Sequence, residues 1–153
     1  MLGIRAASGG AASPPPPPAS YGPELVLNGT FDSGTSNWTN SGTGSLSVVA
    51  GKMRVTSAGA DNGAGQTIFG MEAGATYRFA ATMAPSESDR ARIALAVATN
   101  QSFYFAVVGG SVDIEFVSAG SGIDIYLQAA NASAWASSGA FAEFDNVSLK
   151  KRL

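Results

Sequence analysis

From Tyr21 onward, apolar and polar residues alternate with a period of two along most of the chain. That period belongs to strands with one face buried and the other wet. "KMRVTS" (52–57) sets Met53 and Val55 against Lys52, Arg54 and Thr56. "ATYRFAATM" (75–83) groups Tyr77, Phe79, Ala81 and Met83, with Thr76, Arg78 and Thr82 opposite. "SVDIEFVS" (111–118) aligns Val112, Ile114 and Phe116, and "GIDIYLQA" (122–129) aligns Ile123, Ile125 and Leu127. "ELVLN" (24–28), "GSLSVVA" (44–50), "SFYFA" (102–106) and "AEFDNVSLK" (142–150) read as further strands. Gly/Ser/Asn/Asp stretches such as "SGTG", "SAGADNGAG" and "SAGSG" separate them as turns. "SESDRARIALAVA" (86–98) also fits a capped helix, but Ile93, Leu95 and Val97 alternate strictly, which favours a strand. The pattern predicts an all-β fold: about eight to ten strands in an antiparallel sandwich, with almost no helix.

The first twenty residues break this pattern. They hold Gly9-Gly10, an Ala/Ser-rich stretch and five consecutive prolines, Pro14–Pro18. Such a segment builds no core, and its proline run favours an extended, semi-rigid polyproline II rod. Two parts are therefore expected: an N-terminal arm with a proline-rich spacer over 1–20, and one domain over 21–153. In the arm, Met1, Leu2, Ile4 and Arg5 are the residues expected to grip a partner chain.

Composition narrows the chemistry. Charged residues are only 13% of the 153, against about a quarter in an average domain. Net charge is −2, so nucleic acid is not an expected partner, since a binder needs a basic face. Cys and His are both absent, which removes disulfides, thiol catalysis, Ser–His pairs and zinc ligation through these side chains. What remains is carboxylates, hydroxyls, amides, cations and aromatic rings, together with hard oxygen-ligated cations such as calcium. No segment approaches the ~20 apolar residues that span a bilayer, and no membrane partner is expected. Arg5 interrupts the short apolar run Met1–Ile4, so no secretory h-region forms; the chain is expected to be made in a cytoplasm.

Candidate ligand contacts come from the polar faces of the strands. If "AGSG" turns 111–129 into a hairpin, Asp113 and Glu115 lie across from Asp124, Tyr126 and Gln128. An aromatic ring among hydrogen-bonding groups would make a platform for a ligand. The other reading of this face is an ordinary solvated strand surface. Tyr104 points opposite to Phe103 and Phe105 and adds a second outward ring. Trp135, in the loop "NASAWASSG", is either a contact residue or a lid on the core. Asp113, Glu115 and Asp124 could supply a glycosidase pair, but so small a domain lacks a deep cleft, and no catalysis is expected.

The domain opens on "ELVLNGTFDSGTSNWT", with Leu25, Asn28, Gly29, Phe31, Asp32, Gly34 and Trp38, and closes on "FDNVSL" (144–149), with "AGKMRVTS" and "MEAGATYRFAATM" between them. Taken together, these stretches resemble carbohydrate-binding modules of the family 4, 9 and 22 type. The resemblance implies a jelly-roll sandwich that stacks aromatic rings on sugars along one sheet, with Phe31 and Trp38 in the core. It also implies a structural calcium ion, held by the Thr30 carbonyl, the carboxylates of Asp32 and Asp145, and a carbonyl near Gly51. Two carboxylates at sheet ends repel, and a hard divalent cation relieves this. The alternative is local: Asp32 caps the turn at Ser33-Gly34, and Asp145 bonds its own backbone at a bulge.

An unexported module of this kind behind a stiff arm looks like a bacteriophage structural protein. The expectation is a non-catalytic virion decoration or appendage, assembled in a bacterial cytoplasm. Residues 1–20 would join it to other virion proteins, and its sandwich would face host glycans. The alternative is a free-standing or excised carbohydrate-binding module, acting extracellularly. A homo-oligomer is compatible with both, though no heptad or apolar stripe encodes one.

Overall fold

The computed structural model describes residues 18–87, 90–98, 101–107, 109–131 and 133–153. The anchor residues expected at Met1, Leu2, Ile4 and Arg5, and most of the proline run, lie outside these. The described residues form no helix and eleven strands. In chain order these are β1 (Tyr21–Glu24), β2 (Thr39–Asn40), β3 (Ser45–Val49), β4 (Lys52–Thr56), β5 (Ala64–Phe69) and β6 (Thr76–Pro85). Then follow β7 (Ala91–Ala98), β8 (Gln101–Val107), β9 (Gly110–Val117), β10 (Gly122–Gln128) and β11 (Phe141–Arg152).

The strands pair antiparallel in two sheets. The first runs β3-β4-β11-β6-β9, with β1 beside the far end of β11; the second runs β2-β5-β10-β7-β8. Their inner faces share one core, in which Met53, Phe79, Phe144 and Leu149 of the first sheet meet Ile93, Leu95, Ile125 and Leu127 of the second. Phe103 of β8 and Phe116 of β9 touch across the gap, ring centres 5.4 Å apart. Burying each such side chain contributes about 1.5–3 kcal/mol, which is why the period-two pattern commits these strands to a sandwich. Phe31 and Trp38 are buried as expected, with ring centres 5.7 Å apart.

The long strand β11 needs a β-bulge to stay in that core. Ala142 and Phe144 point inward at even positions, but Val147 and Leu149 do so at odd ones. Between Asp145↔Thr82 and Ser148↔Ala80 the strand gains one residue on its partner, and Asn146 takes φ 52° to absorb it. Gly29 packs onto this bulge: a Cβ there would lie 2.0 Å from the Val147 carbonyl oxygen. Only glycine lets the loop after β1 come so close.

Three expectations change and one holds. The first strand is 21–24 and not 24–28, because the Glu24 carboxylate folds back and accepts from the N–H groups of Leu25, Val26 and Leu149. The segment 86–98 is confirmed as strand from Ala91 onward. Strand β5 forms where the glycine-rich "GADNGAG" hides the short alternation of "QTIF". Most consequentially, 111–129 is not a hairpin. Strand β9 pairs with β6 in the first sheet, and β10 pairs with β5 and β7 in the second. The connecting backbone bonds the turn before β6 instead of itself. The Ser118 N–H donates to Ala75 O (2.9 Å), Gly74 N–H to Ser118 O (2.7 Å) and Met71 N–H to Ser121 O (3.0 Å).

Candidate functional site

The crossing at 118–121 sends the two halves of the expected platform to opposite outer faces. Asp113 and Glu115 lie outside the first sheet, and both are engaged there. Arg78 grips Asp113 through two nitrogens, one at 2.7 Å. Glu115 accepts from the Tyr21 hydroxyl (2.6 Å) and from Arg152 (2.8 Å). The hydrogen bond from Arg78 holds the Asp113 carboxyl below its ordinary range, and the one to Glu115 pushes the Tyr21 phenol up. Arg54 and Glu143, 2.6 Å apart, extend this ion-paired surface. Such exposed pairs add little stability each, but they occupy the carboxylates expected to meet a ligand.

The outer face of the second sheet is built differently. Register places Thr39, Gly65, Tyr126, Ala94 and Tyr104 in one row across β2, β5, β10, β7 and β8. Tyr126 thus stands between two small residues. A Cβ on Gly65 would lie 3.3 Å from its ring, so the glycine keeps room for the ring to lean over β5. The next row holds Thr67, Asp124, Ala96 and Ser102, and the Thr67 hydroxyl donates to Asp124 at 2.6 Å. In the other direction Gln128 faces Arg92, whose Nε donates to the Gln128 amide oxygen at 2.8 Å. The Arg92 guanidinium lies 4.9 Å from the centre of the Trp135 ring. Trp135 is half-buried, held by a bridge to Ala130; it closes the sheet end and also borders the face.

Three clefts join along β10. One of about 490 Å³ lies between Tyr126, Asp124, Thr67, Thr39, Asn37 and Leu27. A second of about 610 Å³ shares Tyr126 and runs over Gln128 and Arg92 to Trp135. A third of about 660 Å³ shares Thr67 and Asp124 and continues past Gly122 and Phe69. From Gly122 to Gln128 the strand spans about 20 Å.

One wall of the first cleft is the loop between β1 and β2, which a buried Gln66 holds against the sheet. Its amide accepts from Leu27 N–H (2.8 Å) and donates to Leu27 O (2.9 Å) and Asn37 O (3.1 Å). Asn28 braces the loop from inside, donating to Gly34 O and Ser36 O and accepting from Ser33 N–H. The motif residues Asn28, Phe31 and Trp38 therefore shape the wall. Thr39, Gly65, Thr67, Gln66 and Arg92 are not marked in the sequence, because only the pairing of β2 with β5 and of β5 and β7 with β10 assembles them.

The residues expected to hold calcium are placed in part. The Val147 N–H donates to Gly29 O (3.0 Å), which brings the loop at Thr30 against the bulge of β11. Asp32 accepts from the Thr30 hydroxyl (2.6 Å) and Asp145 from the Asn146 N–H (2.7 Å). Among the described residues, no three acidic side chains gather to hold a metal ion.

Residues 23–119 match the profile of the carbohydrate binding domain family. The chain belongs to that family. No curated protein sequence matches the chain. Several solved structures share the fold. The N-terminal cellulose-binding domain of Cellulomonas fimi β-1,4-glucanase C is 21% identical, with a TM-score of 0.56 over 84% of this chain and 97% of that one. The CBM22-1 xylan-binding domain of Paenibacillus barcinonensis Xyn10C is 17% identical, with a TM-score of 0.59 over 88% and 97%. The enzymatically active domain of bacteriophage CBA120 tailspike protein 4 is 14% identical, with a TM-score of 0.62 over 84% of this chain but 21% of that one. A jelly-roll sandwich of the carbohydrate-binding-module type is thus the architecture of this chain.

Gln66→Ala removes three hydrogen bonds from a buried amide and leaves Leu27 N–H without its acceptor. The expected cost is about 1–3 kcal/mol, read as a lower urea midpoint with an unchanged m-value.

Proposed function

We propose that this domain is a non-catalytic module that binds a neutral, linear glycan along the outer face of the second sheet. The observation that carries this reading is Tyr126, set between Gly65 and Ala94 with Asp124 and Gln128 on the same strand face. A tyrosine ring on cleared ground offers an apolar plane to the C–H face of a pyranose. Asp124 and Gln128 add acceptors and donors for hydroxyl groups. A carboxylate acceptor at the centre of the groove disfavours acidic sugars. The cellulose-binding and xylan-binding domains to which the chain is similar support a polysaccharide as the ligand class.

A structural calcium ion at Thr30, Asp32 and Asp145 belongs to the same proposal. It rests on the family resemblance and on the meeting of loop and bulge at Gly29 and Val147. Bound there, it would tie the loop to the last strand and offset the repulsion between the carboxylates.

The second reading is a virion appendage whose residues 1–20 grip another virion protein while the sandwich meets host glycans. Likeness to part of a phage tailspike favours it. The alternative is an extracellular module of a polysaccharide-degrading system.

Three measurements test these readings. On an array of neutral linear glycans, Tyr126→Ala should weaken binding at least tenfold, while the double variant Asp113→Asn/Glu115→Gln should bind as the native chain does. The reverse pattern would overturn the choice of face. Millimolar calcium should raise the melting temperature by several degrees relative to chelator, as ligand linkage requires; Asp145→Ala should abolish the rise, and no rise in the native domain would refute the ion. Deleting residues 1–20 should leave glycan affinity intact under both readings, and should abolish incorporation into particles under the virion reading alone.

A further inference from the structure

Phe69 is the most exposed large apolar side chain among the described residues, at 80% of its full accessibility. It is not on a loose turn. It closes β5 on the same outer face as Gly65 and Thr67, directly across from Gly122 of β10. It borders the third cleft, which Thr67 and Asp124 join to the cleft of Tyr126. Exposing a full phenyl ring to water is unfavourable, and on a sheet face it usually marks a contact surface. The surroundings are cleared around it. Gly122 has no side chain, and a Cβ there would lie 2.8 Å from Ile68 O and 3.7 Å from the Phe69 ring. Ala96 and Ser102 across the cleft are small as well.

We infer that Phe69 is a second stacking platform, at the far end of the groove from Trp135, so that the domain reads a glycan chain by its length. This rests on the reading of the second sheet's face given above. Along β10 the row of Phe69 lies four residues from that of Tyr126, about 13 Å away. A disaccharide seated on Tyr126 does not reach Phe69, whereas a longer chain crosses Asp124 and Thr67 and lays a later ring on it. Between the two rings the groove offers a carboxylate and a hydroxyl already bonded to each other at 2.6 Å, a pre-set pair for sugar hydroxyls.

Phe69 packs on little, so Phe69→Ala should keep its melting temperature within a degree or two of the native domain. Calorimetric titration with cellohexaose, xylohexaose and a β-1,4-galactohexaose, each beside its disaccharide, reads the effect. Phe69→Ala should weaken the hexasaccharide that binds by about five- to tenfold and leave the disaccharide unchanged, and Phe69→Trp should restore the loss. Tyr126→Ala should weaken both lengths. If Phe69→Ala binds the hexasaccharide as the native domain does, or loses the disaccharide equally, the second platform is refuted while the Tyr126 face stands. If the native domain binds none of these chains, the reading of the face itself fails and the inference falls with it.

Discussion

The crossing of the chain between Val117 and Gly122 decides which side chains can act together in this protein. Strands β9 and β10 both alternate, and both must bury their apolar sides in the one core available. A tight hairpin would satisfy that requirement equally well. It does not form because the backbone at Ser118 and Ser121 bonds the 71–75 turn, which commits β9 to the first sheet and frees β10 to pair with β5 and β7. The polar sides of the two strands then face opposite directions, with the whole core between them.

The two outer faces consequently acquire different physics. On the first sheet, Arg54, Arg78 and Arg152 each meet a carboxylate, and a ligand would have to break ion pairs to enter. On the second, Gly65, Ala94, Ala96 and Gly122 leave the backbone thinly covered, and Tyr126 and Phe69 stand above it. Small residues beside aromatic ones produce depressions, and depressions lined by rings and a few polar groups are what recognition needs.

The segment after β1 supplies Leu27 and Asn37 to the wall of the cleft, yet the motif residues that most resemble the family do not themselves line it. Asn28 and Gln66 spend their polar atoms on backbone groups of the loop, Glu24 accepts from the loop N–H groups and from Ser148 and Leu149 of β11, and Trp38 donates its indole N–H to Asn28 O at 3.2 Å. Phe31 and Trp38 fill the core beneath. Motif residues of this kind define the shape of a wall, and shape leaves sugar choice to side chains elsewhere.

The alternation of Tyr77, Phe79, Ala81 and Met83, and of Ile93, Leu95 and Val97, was readable from the chain, because period-two burial is a local property of each strand. The sandwich and the outward Tyr126 and Asp124 follow from it directly, whereas the inward Phe31 and Trp38, which lie in a loop, were implied only by the family resemblance. Strand β5 was not readable, since four glycines between Gly59 and Gly70 masked six residues of strand. Partnership between strands was not readable either. Asp113 and Glu115 carry the same local pattern as Asp124 and Gln128, and no sequence rule separates them. Hydrogen bonds between residues far apart in the chain assign each strand to a sheet. Local pattern determined what is buried and what is wet, and tertiary pairing alone decided which wet residues share a face.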